Sequence, residues 1–174
     1  MKALRTDRLT LDELTFDDAG FIVELLNDAS FLRFIGDKGV RTVDDACKYL
    51  TDGPIRSYRE NGFGLLAVRR TSDATPLGMC GLVRREVLEH PDIGFAFLPE
   101  YRSNGYAFEA ASAVLAHARS GLGIVRLLGI CNPDNAGSIR LLQKAGFSFE
   151  RQIRLAADAD PVSLYASDGP AGTI

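Results

Sequence analysis

The sequence is poor in the residues that staple or metallate small proteins. Its three cysteines, Cys47, Cys80 and Cys131, lie far apart, none in a Cys-x-x-Cys pair, and only two histidines, His90 and His117, accompany them. A disulfide framework or a zinc site is not expected, and the cysteines read as small apolar or half-buried thiols of a reducing cytoplasm. Positive charge is not in excess either: 20 Lys and Arg against 23 Asp and Glu leave a formal net charge of -3. Without a basic stripe to neutralise phosphates, a nucleic-acid-binding surface is excluded. No apolar run approaches the ~20 residues of a bilayer span, and the opening MKALRTDRLTLDEL is too charged for a signal peptide. These absences point to a cytoplasmic protein with no metal and neither membrane nor nucleic acid as partner. The slight acidity suits a cationic substrate such as an amine.

What remains is ordinary globular material, 46% hydrophobic and 25% charged over 174 residues. A domain of this size buries about 70% of its unfolded surface and needs no staple. RLTLDEL (8–14) alternates as a strand, and TFDDAGFIVELLND follows as an amphipathic helix with Thr15 as N-cap. An irregular aromatic and glycine-bearing segment, FLRFIGDKGVR, precedes a second helical stretch from Thr42 with a break or kink around Gly53–Pro54. From Gly62 three strand-like runs follow one another, GFGLLAVRR, TPLGMCGLVRREVL and PDIGFAFL. A helix from Gly105 to about Ser120, a strand IVRLLGICN, a helix in DNAGSIRLLQKAGF stopped by Gly146, and a closing antiparallel pair complete the chain. The expected fold is α/β (α+β): a single mixed, mostly antiparallel twisted sheet of about seven strands, with one parallel crossover and helices on both faces. The expected organisation is one domain over 1–167, with DGPAGTI (168–174) as a disordered tail.

Two strand-to-helix junctions carry the chemistry. In PEYRSNGYAFEA, Arg102, Asn104, Gly105 and Ala107 gather where a helix begins. Backbone N–H groups there lack intrahelical partners and the helix dipole favours an anion. Gly105 permits close approach, and Arg102 adds a full charge. The second junction, NPDNAGSIRLLQKAGF, opens a helix directly after the next strand. Junctions on adjacent parallel strands share a crevice at the strand ends, where open α/β sheets bind ligands. Neither GxGxxG nor GxxxxGK[ST] is present, so the nucleotide motifs do not apply.

With these motifs the sequence resembles the GNAT-superfamily N-acetyltransferases, in the branch that holds the Rim-type ribosomal-protein N-terminal acetyltransferases. TDRLTLDELTFDDA resembles the family's opening, PLGMCGL its glycine-bearing third strand and DIGFAFLPEYRSNGYAFEA its fourth strand and coenzyme A loop. NPDNAGSIRLLQKAGF is similar to its N-x-x-S-x-x-x-x-x-K-x-G-F signature. The resemblance implies acetyl-CoA as cosubstrate, with Arg102, Asn104, Gly105, Tyr106 and Ala107 around the pyrophosphate. Phe95, Phe97 and Leu98 would offer backbone hydrogen bonds to the pantetheine arm, which docks as a strand would. Asn135 would hold the pantetheine, Ser138 would sit near the thioester sulfur, and Arg140 would reach the nucleotide end.

The implied reaction is direct attack by a primary amine, from a protein N-terminus or a small molecule, in a ternary complex. The sequence departs from the family at Leu142, where many members carry a tyrosine acid. Ser138 is left as the candidate proton donor. No glutamate stands on the following strand, where LAADAD has Ala157 with Asp158 beside it. Asp92 is ranked first as base, ahead of Glu86, Glu89 and Asp158 acting through water. An acyl-enzyme on Cys131 is disfavoured because no histidine stands near it in sequence. Glu109 reads as a structural partner, Tyr49 as core, and IGDKGV as the border of the acceptor site. The alternative is a non-catalytic acyl-CoA sensor of the same fold, and either a monomer or a homodimer is compatible.

Overall fold

The computed structural model describes residues 3–169. Strand β1 (Leu4–Arg5) and β2 (Leu9–Glu13) lead through a 3-10 turn at Phe16–Asp18 into α1 (Ala19–Leu26), α2 (Ala29–Phe34) and α3 (Val43–Leu50). Helix α4 (Arg56–Asn61) precedes β3 (Leu65–Arg70), β4 (Pro76–Val83) and β5 (Asp92–Phe97). Then come α5 (Tyr106–Ser120), β6 (Arg126–Cys131), α6 (Ala136–Lys144), β7 (Ser148–Ile153) and β8 (Val162–Asp168). The sheet has eight strands in the order β1-β2-β3-β4-β5-β6-β8-β7. The strand beyond the expected seven is the two-residue β1.

Local chemistry accounts for the helix starts. Thr15 and Thr42 each form a capping box, reciprocated by Asp18 and Asp45 three residues on. Between α3 and α4 the chain does not break but widens into a π-helical turn, Thr51–Ile55, around Pro54. Proline has no N–H to donate and crowds the preceding turn, so a locally wider helix accommodates it.

Every neighbouring strand pair is antiparallel except β5 with β6. The period-two alternation of the strands sends side chains into two cores, one on each face. Leu66, Val68, Cys80 and Leu82 face α5 and α6, joining Ala110, Val114 and Leu142. Ala67 and Met79 face the other way and pack with Ile22, Leu25, Phe31 and Leu50 from α1 to α3. Gly78 of β4 is required by close approach, since a Cβ there would lie 2.3 Å from the Ala96 carbonyl oxygen.

The end of the chain corrects one expectation. Asp168 is the last residue of β8, paired with Arg126, and the Gly169 N–H donates to the Val125 carbonyl at 2.9 Å. Residues 170–174 of the expected tail lie outside the described residues. Among the described residues no helix is long and apolar enough to cross a membrane.

Candidate active site

The parallel pair β5 and β6 barely holds together. Only Asp92 with Leu128 and Ile93 with Gly129 are in register, after which the strands part. Strand β5 stays paired to β4 through Phe97, so its other edge from Gly94 onward has no strand beside it. A cleft of about 1030 Å³ opens there, running from the first turns of α5 and α6 to the head of β5. Five residue steps separate Asp92 from Phe97, roughly 17 Å of extended chain.

One end of the cleft is built from backbone. Gly105 is the N-cap of α5 with φ +80°, and Ser103 also takes a left-handed conformation at φ +62°. Among the described residues, the first backbone N–H of this turn with an acceptor is that of Glu109, bonded to the Gly105 carbonyl at 3.0 Å. The amides of residues 103–108 are therefore free for an anion, as a helix start requires. Gly105, Ala107 and Phe108 line the cleft beside them.

Here the structure redistributes the expected roles. The Arg102 guanidinium is tied elsewhere: Nε donates to the Phe97 carbonyl at 2.9 Å, Nη1 to Ser30 Oγ at 2.9 Å, and Nη2 to Asp28. Its charge is matched by Asp28, the N-cap of α2, so the expected full charge does not face the turn. The cation at the turn is Arg8, whose Nη1 donates to the Asn104 carbonyl at 3.2 Å and whose guanidinium lies 4.5 Å from the Tyr106 ring centre. Nothing in RLTLDEL flagged it, because its partners are about a hundred residues away. Glu109 is the structural partner expected, accepting from Thr6 and from the Arg8 backbone and side chain.

Asn104 and Tyr106 do not line the cleft. The Asn104 side chain donates to the Arg102 carbonyl at 2.9 Å and Tyr106 lies under Arg8, so both brace the turn. Leu98 is also outside it. It is buried beyond the end of β5, and its N–H is spent on the Leu77 carbonyl at 3.0 Å. Phe95 and Phe97 remain on the cleft wall.

The opposite wall is the start of α6. Asn135 caps this helix, its Oδ1 accepting from the Ser138 N–H at 3.1 Å. That bond fixes the carbonyl end of the amide and turns Asn135, Gly137, Ser138 and Arg140 along the cleft. Lys144, one turn on, also lines it and lies 4.2 Å from the Phe108 ring centre. Leu142 points the other way into the core, 1% exposed against Gly129. Cys131 borders the cleft, but burial pushes its thiol up to about 11. A thiol held protonated is a poor nucleophile, against an acyl-enzyme.

At the head of β5, Asp92 is 1% exposed. Its Oδ1 accepts from Arg85 Nε at 2.9 Å, while Oδ2 has no partner among the described residues. Desolvation raises its pKa, with the charge and hydrogen bond of Arg85 opposing. Glu86 reaches the cleft wall as well, whereas Glu89 and Asp158 do not line it. Lys38, Tyr49 and Arg85 join Asp92 at this end, and sequence reading had assigned no role to Arg85. Among the described residues no group of three or more His, Cys, Asp or Glu is placed to hold a metal ion.

Comparison with known proteins agrees with this geometry. Residues 8–148 match the acetyltransferase (GNAT) domain family. The uncharacterized N-acetyltransferase YoaA of Bacillus subtilis (strain 168) is 28% identical over 153 residues, spanning 87% of this chain and 85% of that protein. YnaD from the same organism, another uncharacterized N-acetyltransferase, is 27% identical over 147 residues, spanning 84% of this chain and 83% of its own. Among solved structures, RimL, a ribosomal alpha-N-protein acetyltransferase in complex with coenzyme A, superposes with a TM-score of 0.85 at 16% identity, covering 98% of this chain and 100% of that one.

Proposed function

Because the chain belongs to the GNAT acetyltransferase family, we propose that it moves an acetyl group from acetyl-CoA to a primary amine by direct attack in a ternary complex. The observation that carries the reading is the parting of β5 and β6 beside unbonded amides at the start of α5. An open strand edge suits a ligand that pairs as a strand, and the amide turn at its end suits a phosphate. RimL, the superposable coenzyme A complex, belongs to the same fold and supports that use of the cleft.

In this reading the amides of residues 103–108 hold the pyrophosphate, with Gly105 allowing the approach. Arg8, bonded to the turn and ion-paired with Glu109, holds the turn in shape. The β5 edge at Phe95 and Phe97 and the amide of Asn135 hold the pantetheine arm, and Arg140 and Lys144 face the nucleotide. Bound acetyl-CoA would supply an activated thioester. Transfer forms one C–N bond and breaks one C–S bond, so one proton must leave the amine and one must reach the departing sulfur. Asp92 takes the first at its carboxylate, at the head of the cleft. Ser138 gives the second from a hydroxyl that has no protein partner among the described residues. An α-amine, with pKa about 7.7–8.0, is far easier to deprotonate than a lysine near about 10.4. A single carboxylate can serve such an amine. Three free cysteines fit a reducing compartment, in keeping with a cytoplasmic enzyme.

The test is calorimetric titration with acetyl-CoA, followed by thiol release across a panel of amines. Saturable binding with amine-dependent release is expected. No binding at millimolar acetyl-CoA would sink the proposal, and binding without release from any amine would leave only a sensor.

A further inference from the structure

The acceptor end of the cleft holds more unmatched polarity than amine transfer alone requires. Four side chains from four segments meet there: Lys38 from the loop after α2, Tyr49 from α3, Arg85 from the turn after β4, and Asp92 from the head of β5. Arg85 is the centre of the group, since its charge acts on Lys38, on Tyr49 and on Asp92. It spends only Nε on a partner, the Asp92 carboxylate. Among the described residues its two terminal nitrogens, the Lys38 ammonium and the Tyr49 hydroxyl make no hydrogen bond or ion pair.

This local charge differs from that of the whole chain, which is net negative. The Lys38 pKa lies below its ordinary value, first because its ammonium is desolvated and then because Arg85 repels it; no carboxylate contributes. Asp52, Glu60 and Glu86 also line the wall, yet Glu60 faces Arg56 at 3.9 Å and none of the three bonds to Arg85 or Lys38. Two cations lining the same end of the cleft with donors to spare make a receptor for an anion. Directly beside them lies the opposite feature, an orphan acceptor on a carboxylate that is 1% exposed.

We propose that the acceptor carries a carboxylate close to its amine, the amine turned toward Asp92 at the head of β5 and the carboxylate meeting the Arg85 fork and Lys38. The Tyr49 hydroxyl donates a further hydrogen bond. This inference rests on the acetyl-transfer reading above. A neutral acceptor would leave the Arg85 donors desolvated and unpaired, the situation in which a polar site rejects an analogue strongly. The chemistry has two sources, a free amino acid, through its α-carboxylate or an acidic side chain, or a peptide whose first residue is acidic. Both put a carboxylate within a few bonds of an α-amine.

The experiment uses the intact chain saturated with coenzyme A for binding and with acetyl-CoA for turnover. One arm titrates free aspartate and glutamate against asparagine amide and glutamine amide. The other titrates tetrapeptides beginning with Asp or Glu against the same peptides beginning with Asn or Gln. At least one arm should favour the acid by tenfold or more in both calorimetric affinity and kcat/KM, and the arm that does so identifies the source. Lys38→Ala should cut that acid-to-amide ratio at least threefold, with coenzyme A affinity confirming that the variant is folded. Equal binding and turnover of acids and amides in both arms, or an unchanged ratio in Lys38→Ala, would overturn the inference while leaving acetyl transfer intact. Failure to bind coenzyme A would instead sink the acetyl-transfer reading, and this inference with it.

Discussion

At the α5 end of the cleft the ligand-facing groups are main-chain amides, set by one left-handed glycine and braced by Arg8, Glu109 and Asn104. At the β5 head they are side chains drawn from three other segments as well, converging on an ion pair between half-exposed Arg85 and buried Asp92. At the first end the amides themselves are contiguous in sequence, with Arg8 bracing them from the β1–β2 connection. The second is assembled only by folding and depends on every side chain in it. The contrast suggests a division of labour in which backbone grips an invariant cosubstrate and side chains select a variable one.

Substitutions at each end should separate these roles. The largest effect is expected from Asp92→Asn, which removes the proposed base: kcat should fall about 100-fold while acetyl-CoA affinity holds, as stopped-flow and calorimetry would reveal. The same variant has a stability signature. Asp92 has a raised folded-state pKa because burial disfavours its charge. Its penalty is absent below the unfolded value, where both states are protonated, and grows as pH rises through the folded value. Wild type should therefore lose stability relative to Asp92→Asn as pH climbs from about 4 to 7, measured by denaturant melts. A parallel pH dependence for the two proteins would show the carboxylate to be unperturbed.

Next in size is Gly105→Glu, at the other end. It forces a side chain onto φ +80° and sets a carboxylate among the amides, with Arg8 at 3.4 Å from the new Cβ. Coenzyme A affinity should drop at least tenfold, about 1.4 kcal/mol; undiminished affinity in a folded variant would reject the phosphate turn. A smaller effect on the coenzyme than that of Gly105→Glu is expected from Arg102→Ala, whose guanidinium lines the cleft but is already held by Asp28, Ser30 and the Phe97 carbonyl. Affinity should change less than about threefold while stability falls by about 1–3 kcal/mol, because Asp28 and a strand carbonyl lose their donor. A tenfold loss of affinity with stability intact would restore Arg102 to the phosphate site.

The same contrast explains what could be read before folding. The starts of α5 and α6 were legible because a helix start announces itself through local rules, although the α6 cap was open between Asp134 and Asn135 until the structure gave it to Asn135. The succession of strands and helices along the chain followed from alternation and turn residues, and the π-turn at Pro54 is the form that the expected break or kink takes. Arg8 was not singled out because its partners lie about a hundred residues away, and the engagement of the Arg102 guanidinium with Asp28 and Ser30 was equally hidden by distance in sequence. Arg85 was passed over since RRE in a turn looks like solvated surface until β5 brings Asp92 against it. Leu98 was placed on the cleft by running the strand one residue too far, past the point where its N–H turns back to Leu77.

The shallow register between β5 and β6 has a mechanical side. Two residue pairs, with the Leu128 N–H bonded to the Pro91 carbonyl, are the strand contacts joining the five-strand half of the sheet to the three-strand half. A ligand lying in the gap acts as a splice between two plates that otherwise meet at a narrow seam. Occupancy then stiffens the whole protein by mass action, by about 2.7 kcal/mol at a ligand concentration a hundred times Kd. The cellular supply of acetyl-CoA would thus set how long the folded chain endures as well as how fast it works.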